Sequence, residues 1–278
     1  MTAIAKPDYS LLDRPDVLQF LFHPRPELPL SPIQAADSAD STPAKRDILI
    51  PVEEDVEIGA RFHMAEQSGV NILFFHGNGE IVADYDELGP LYHQMGVNFI
   101  AVDYRGYGRS TGQPTVTAMM RDCHVIFEFV RKWLKQNHFP GPIILMGRSL
   151  GSASVLELAA ACQDSTGGLI VESGFAYAGP LLQLLGIDLD ALGFKEEKGF
   201  GNIDKIKMYH KPTLIIHAEF DHIIPFSDGE ALYAACPAAD KAFLKIPGAN
   251  HNDIFMRGLQ PYMAAVSNMV ERVKTNRP

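Results

Sequence analysis

Six short, almost wholly apolar runs constrain this chain most: Val70–Phe75, Val97–Val102, Pro142–Met146, Gly168–Val171, Thr213–His217 and Ala242–Ile246. A strand with one wet face alternates apolar and polar residues, whereas a strand covered on both faces is apolar throughout. These runs therefore predict strands of a parallel sheet with helices on both sides. Helical patterns fall between them, near Val82–Met95, Val116–Gln136, Leu150–Cys162, Ser227–Cys236 and His251–Lys274. Such alternation predicts a doubly wound α/β fold. Two earlier segments, Asp47–Val52 and Val56–Phe62, partly alternate and predict an antiparallel pair. The expected sheet thus has about eight strands, the first two antiparallel and the rest mostly parallel.

With 278 residues, 46% of them hydrophobic, the chain can bury one large core. Residues 1–45 are rich in Pro, Asp and Ser and read as an N-terminal extension to a domain spanning 46–278. Within the extension, Asp16–Phe22 predicts a short amphipathic helix, and His23-Pro24-Arg25-Pro26 begins an irregular strap. The connection from Val171 to Thr213, about forty residues, is too long for a plain crossover. It predicts a small cap insertion at about 174–208, the alternative being a surface excursion with one extra helix.

The formal charge of −10 and the lack of a basic run argue against a nucleic-acid or anionic-membrane surface. Cys123, Cys162 and Cys236 show no paired spacing, which predicts no disulfide framework and favours a reducing compartment. The first residues lack the apolar core of a signal peptide, and no window reaches the length of a membrane span. A cytoplasmic protein is expected. Neither HExxH nor CxxC occurs, so no metal site is expected, and no third glycine follows Gly77 and Gly79 at dinucleotide-binding spacing.

The run ending at Met146 leads into Gly147-Arg148-Ser149-Leu150-Gly151, with a helical pattern behind it. A GxSxG between strand and helix is the setting of a nucleophile elbow, a turn so sharp that only small neighbours fit. Gly147, Gly151 and Ser152 meet that need, and the strain would hold the Ser149 hydroxyl above the sheet edge. Without that setting the same glycines describe an ordinary strand-to-helix turn. A serine hydroxyl also needs a base to take its proton and an acid to orient the base. In a doubly wound sheet these come from loops at the carboxyl ends of later strands.

The loop after Thr213–His217 carries Asp221, the expected acid, with Ile223-Ile224-Pro225 fixing the backbone behind it. Glu219 and Glu172 are its rivals. His251 is the expected base, because among ten histidines it alone combines a late loop with a following helix. An oxyanion hole needs two donors. Leu150, directly after the serine, offers one amide, and Asn78 in His76-Gly77-Asn78-Gly79-Glu80 offers the other, with Gly77 leaving room for substrate. The loop Asp103–Gly112 reads as scaffold, with Arg105 either paired to a carboxylate or lining the acyl pocket. Leu181, Leu182, Leu184 and Leu185 are candidates for an acyl-binding wall, although an apolar cap helix packed on the body would read the same way.

Taken together, His76–Gly79, Asp103–Gly112, Gly147–Gly151, Asp221–Pro225 and His251 resemble the α/β-hydrolase superfamily over about residues 46 to 278. The HGN loop with GRSLG is similar to a reduced-cap branch that includes esterases, acyl-protein thioesterases and serine aminopeptidase-like proteins. The resemblance implies a Ser149, Asp221 and His251 triad, with Asn78 and Leu150 as oxyanion donors. It also implies hydrolysis of an ester or thioester in a small-molecule or acylated substrate, without cofactor or metal, by a monomer or homodimer. Two alternatives stand beside it. An aminopeptidase-like reaction would need a carboxylate such as Glu172 or Glu80 to hold the substrate amine, and a non-catalytic binding module would keep only the fold.

Overall fold

Eight strands form one sheet in the order β1-β2-β4-β3-β5-β6-β7-β8. The computed structural model of the protein describes residues 8–28 and 45–275. The strands are β1 (Lys45–Glu53), β2 (Val56–His63), β3 (Asn71–Phe75), β4 (Asn98–Val102), β5 (Ile143–Arg148), β6 (Gly168–Glu172), β7 (Thr213–Ala218) and β8 (Lys241–Ile246). Strand β2 runs antiparallel to both β1 and β4, and every other pairing is parallel. The apolar runs became strands because alternate residues feed two different cores. Leu73, Phe75, Leu145 and Val171 face one side, and Ile72, Phe74, Met146 and Ile170 face the other. The first core is closed by α3 (Val116–Gln136) and α4 (Gly151–Cys162), the second by α2 (Gly89–Gln94) and α9 (Ile254–Thr275).

Proline corrects two of the expected helices. The pattern at Val82–Met95 is not continuous: a 3-10 turn at Val82–Tyr85 precedes α2, with Pro90 in the first turn of that helix. Proline has no N–H to give a preceding turn, so the helix starts there rather than running through. In α9, Gly258 leaves helical angles ahead of Pro261, and the helix kinks.

The long connection after β6 holds three short helices, α5 (Ala178–Leu184), α6 (Leu189–Leu192) and α7 (Asn202–Ile206). Helix α8 (Phe226–Ala235) follows β7. Ahead of the sheet, α1 (Pro15–Leu21) buries Val17 and Leu21 in the first core, joined by Tyr9, Leu12 and Phe22. Among the described residues no helix is long and apolar enough to cross a membrane.

The strand order also fixes where a site can form. After β3 the chain moves to one side, through β4, and then returns to the other side of β3 as β5. Loops leaving the carboxyl ends of β3 and β5 therefore part in opposite directions and open a crevice between them.

Candidate active site

Ser149 sits at that crevice, in the turn between β5 and α4, with φ of 50°. For a non-glycine residue this left-handed angle is strained, and the surroundings hold it in place. The Ser149 amide donates to the Glu172 carbonyl at 2.9 Å, and the Ser149 carbonyl accepts from the Ser152 amide at 3.0 Å. A Cβ on Gly151 would collide with the carbonyl oxygens of Phe75 and His76, and one on Gly147 with the Gly151 carbonyl. Only glycine allows strand and helix to come this close.

Three loops meet at the serine hydroxyl. The Ser149 Oγ lies 3.0 Å from Nε2 of His251, whose Nδ1 lies 2.8 and 3.0 Å from the two oxygens of Asp221. An ionised carboxylate only accepts, so Nδ1 carries the proton, and Nε2 is left to accept from the serine. Asp221 Oδ1 also accepts from the amides of Ile223 and Ile224, at 3.0 and 2.8 Å. Burial alone would raise this carboxyl, but the bonds from His251 and the two amides outweigh it and hold it below the ordinary range. Its sequence rivals point elsewhere. Glu219 pairs with Lys245 at 2.7 Å, and Glu172 is engaged by Arg148. His217 donates from Nε2 to the Ile224 carbonyl at 3.0 Å, behind Asp221.

A cavity of about 260 Å³ opens over the serine. Leu21, Leu181, Leu185 and Ile223 give it apolar walls, and Gly77, Asn78, Leu150 and His251 line it as well. Among the described residues, the amides of Asn78 and Leu150 have no hydrogen-bond acceptor. Both residues line the cavity. Of the other candidate wall residues, Leu184 is 56% exposed and turns outward, while Leu182 is buried in the core. A wider groove of about 540 Å³ lies near the amino end of β5, beside Glu128 and Ile143. It is remote from the converging loops.

One cluster around the site was not read from sequence. Arg148, between the elbow glycine and the serine, donates to Glu80 at 2.9 Å, to Glu172 at 2.6 Å and to the His251 carbonyl at 2.8 Å. Glu172 also accepts from the Tyr262 hydroxyl at 2.6 Å. Glu80 accepts from the Gly77 amide at 2.6 Å and from the Tyr85 hydroxyl at 2.5 Å. Burial would raise Glu80, but Arg148 and Tyr85 outweigh it and bring its carboxyl down to about 2. One guanidinium thus ties together the oxyanion-loop candidate, the elbow, β6 and the histidine loop. A second buried pair, His76 with Asp103 at 3.1 Å, sits under the loop after β3. His76 also meets the Gly77 carbonyl through Nδ1 at 2.7 Å, so both ring nitrogens face acceptors. Burial works against its charge, but the Asp103 hydrogen bond prevails and raises it. Arg105 makes the expected carboxylate pair, with Asp122 at 2.6 Å and with Glu53 at 2.8 Å, away from the cavity.

This sheet, with an elbow serine at its switch point, has the α/β-hydrolase fold. A family model described as "Serine aminopeptidase, S33" matches residues 67–187. An uncharacterized protein of Mycobacterium tuberculosis is 29% identical over 233 residues, covering 80% of this chain and 77% of that one. Human alpha/beta hydrolase domain-containing protein 17C is 32% identical over 206 residues, covering 72% of this chain. The match spans only 58% of that relative's length. In fold, the chain is similar to an esterase of Pyrococcus furiosus, with a TM-score of 0.67 at 16% identity, covering 90% of this chain and 98% of that one.

Proposed function

We propose that the protein is a serine hydrolase that cleaves carboxylic esters or thioesters through an acyl-enzyme. The hydrogen-bonded order Asp221–His251–Ser149 beneath an apolar-walled cavity carries this reading. Ser149 Oγ attacks the substrate carbonyl while His251 Nε2 takes its proton. Asp221 holds the ring tautomer and stabilises the imidazolium. The developing oxyanion accepts from the amides of Asn78 and Leu150. As the tetrahedral intermediate collapses, the carbon–oxygen or carbon–sulfur bond breaks, and His251 gives its proton to the leaving group. Water then repeats the sequence on the acyl-serine, releasing the acid and restoring the Ser149 hydroxyl. No step calls for a metal or cofactor.

The insertion at about 174–208 serves in this reading as a small cap whose Leu181 and Leu185 take part of the acyl group. The chemistry of the carboxylates favours ester over amine-bearing peptide substrates. Aminopeptidase-like selection needs an acid free to meet a substrate ammonium, yet Glu80 and Glu172 are both committed to Arg148 and to tyrosine hydroxyls. The test compares wild type with Ser149→Ala on p-nitrophenyl esters and acyl thioesters graded from acetyl to palmitoyl. A chain-length optimum that disappears in the variant is expected. Equal turnover by the two proteins would remove Ser149 from the mechanism.

A further inference from the structure

The segment before the sheet takes part in the cavity, and nothing in the proposed chemistry yet accounts for it. Leu21, at the end of α1, and His23 both line the cavity, facing the loop after β3. At His23 the contact becomes specific. Its backbone amide donates to Asn78 Oδ1 at 2.8 Å and to the Tyr107 hydroxyl at 2.7 Å. Tyr107 in turn donates to the same Asn78 oxygen at 2.6 Å. The Asn78 side-chain nitrogen lies 2.8 Å from Nδ1 of His23. The orientation of this amide is fixed by chemistry: a backbone N–H can only donate, so its partner is the carbonyl oxygen, and Nδ2 must face the ring. Since Nδ2 only donates, His23 Nδ1 is an acceptor. Both ends of the Asn78 side chain are therefore held by one residue of the strap, 55 positions away in sequence.

The next residues lock the same loop. Arg25 donates to the Gly79 carbonyl at 2.7 Å and pairs with Asp84. The strap itself is anchored on the body. The Gly108 amide donates to the Arg25 carbonyl at 2.9 Å, the Glu27 amide returns a bond to Gly108 at 3.1 Å, and Glu27 pairs with the buried Arg61 at 2.8 Å. Gly79 has a left-handed φ of 76°, and a Cβ there would meet nothing within 4 Å. The loop tip is thus not packed in place by a side chain of its own. The strap and Tyr107 supply what holds it.

We infer that His23 is a positioning residue for the oxyanion hole: by gripping both ends of the Asn78 side chain, it aims the Asn78 backbone amide into the cavity. The inference rests on the proposed role of Asn78 and extends it to a residue outside the sheet. A side chain held at both ends cannot rotate, and its Cα and amide move with it. Preorganised donors act because they need no reorganisation as charge develops. A freed Asn78 should bind substrate about as well but meet the transition state less well, so the effect belongs in kcat rather than KM.

The test is a double-mutant cycle with ester substrates. His23→Phe keeps a flat ring but removes the acceptor, and His23→Asn returns an oxygen acceptor near the position of Nδ1. Loss of a whole oxyanion donor costs roughly 10²–10³ in kcat, so a loosened one should cost about tenfold. The expected pattern is a fall of about tenfold in kcat for His23→Phe with KM nearly unchanged, substantial recovery in His23→Asn, and thermal midpoints near wild type. In an Asn78→Ala background, with its grip already gone, His23→Phe should have almost no further effect, because coupled residues are non-additive. Full additivity of the two changes, or an unaltered kcat in His23→Phe, would overturn the inference while leaving a Ser149-dependent hydrolase standing. Turnover that survives Ser149→Ala in the same assays would overturn both readings.

Discussion

Two hydrogen-bonded clusters flank Ser149, and they are built from opposite materials. Around Arg148 the bonds are ionic and buried, and they join β5, β6 and two loops of the sheet's carboxyl edge. Around Asn78 they are neutral, sit at the cavity rim and reach the strap and the Asp103–Gly112 loop. The difference lies in what happens when one member is lost. A buried guanidinium removed from two carboxylates leaves charge without a partner, at a cost of about 3–5 kcal/mol. A neutral bond at a rim is worth about 1 kcal/mol, because water takes the vacated place. The ionic cluster should therefore govern whether the loops assemble at all, and the neutral one how accurately a donor points.

Arg148→Met should have the largest effect. A loss of about 3–5 kcal/mol converts, at roughly 2–4 °C per kcal/mol for a chain of this size, to a thermal midpoint lower by about 6–20 °C. A calorimetric midpoint within about 2 °C of wild type would erase the distinction between the clusters. Glu80→Gln should act more narrowly, on acid sensitivity. Its folded carboxyl lies near 2 against an ordinary 4.5, so its contribution is complete above 4.5 and fades as pH falls toward 2. Urea midpoints measured across that window should slope less steeply in the variant. Equal slopes would mean that Arg148 does not hold Glu80 ionised.

Tyr107→Phe should be the mildest. It removes one donor to Asn78 Oδ1 but leaves both contacts with His23, so kcat should fall only a few-fold, about what a 1 kcal/mol bond allows. Steady-state kinetics beside a melting curve would show it. A midpoint that dropped as far as in Arg148→Met would place Tyr107 with the structural cluster instead.

Much of the fold was legible because it depends on local pattern. Strands buried on both faces announce themselves as apolar runs, and the expected mostly parallel sheet of about eight strands with an antiparallel first pair is the one observed. Ser149, Asp221 and His251 were marked by motif and loop position, and the structure brings them within hydrogen-bonding distance. Arg148 was in plain view, yet the position before the serine in GxSxG accepts many residues. Its meaning comes from Glu80 and Glu172, 68 and 24 positions away, and from the register that sets Arg148 beside Glu172 across β5 and β6. The strap was harder still. The short helix at its start was legible as an amphipathic patch, but the proline-rich chain that follows has no periodicity to read, and its partners are fixed only by tertiary docking.

The strap also bears on the order in which the protein acquires its parts during synthesis. Residues 9 to 27 leave the ribosome before any of their partners: before Asn78 and Tyr107, and well before Lys205, whose ammonium meets the Tyr9 hydroxyl across 196 positions. Growing at roughly 5–20 residues per second, the chain would expose Leu12, Val17 and Leu21 for about ten seconds or more with nowhere to bury them. The cavity above Ser149 would therefore gain the wall that Leu21 supplies only after the sheet behind it has formed.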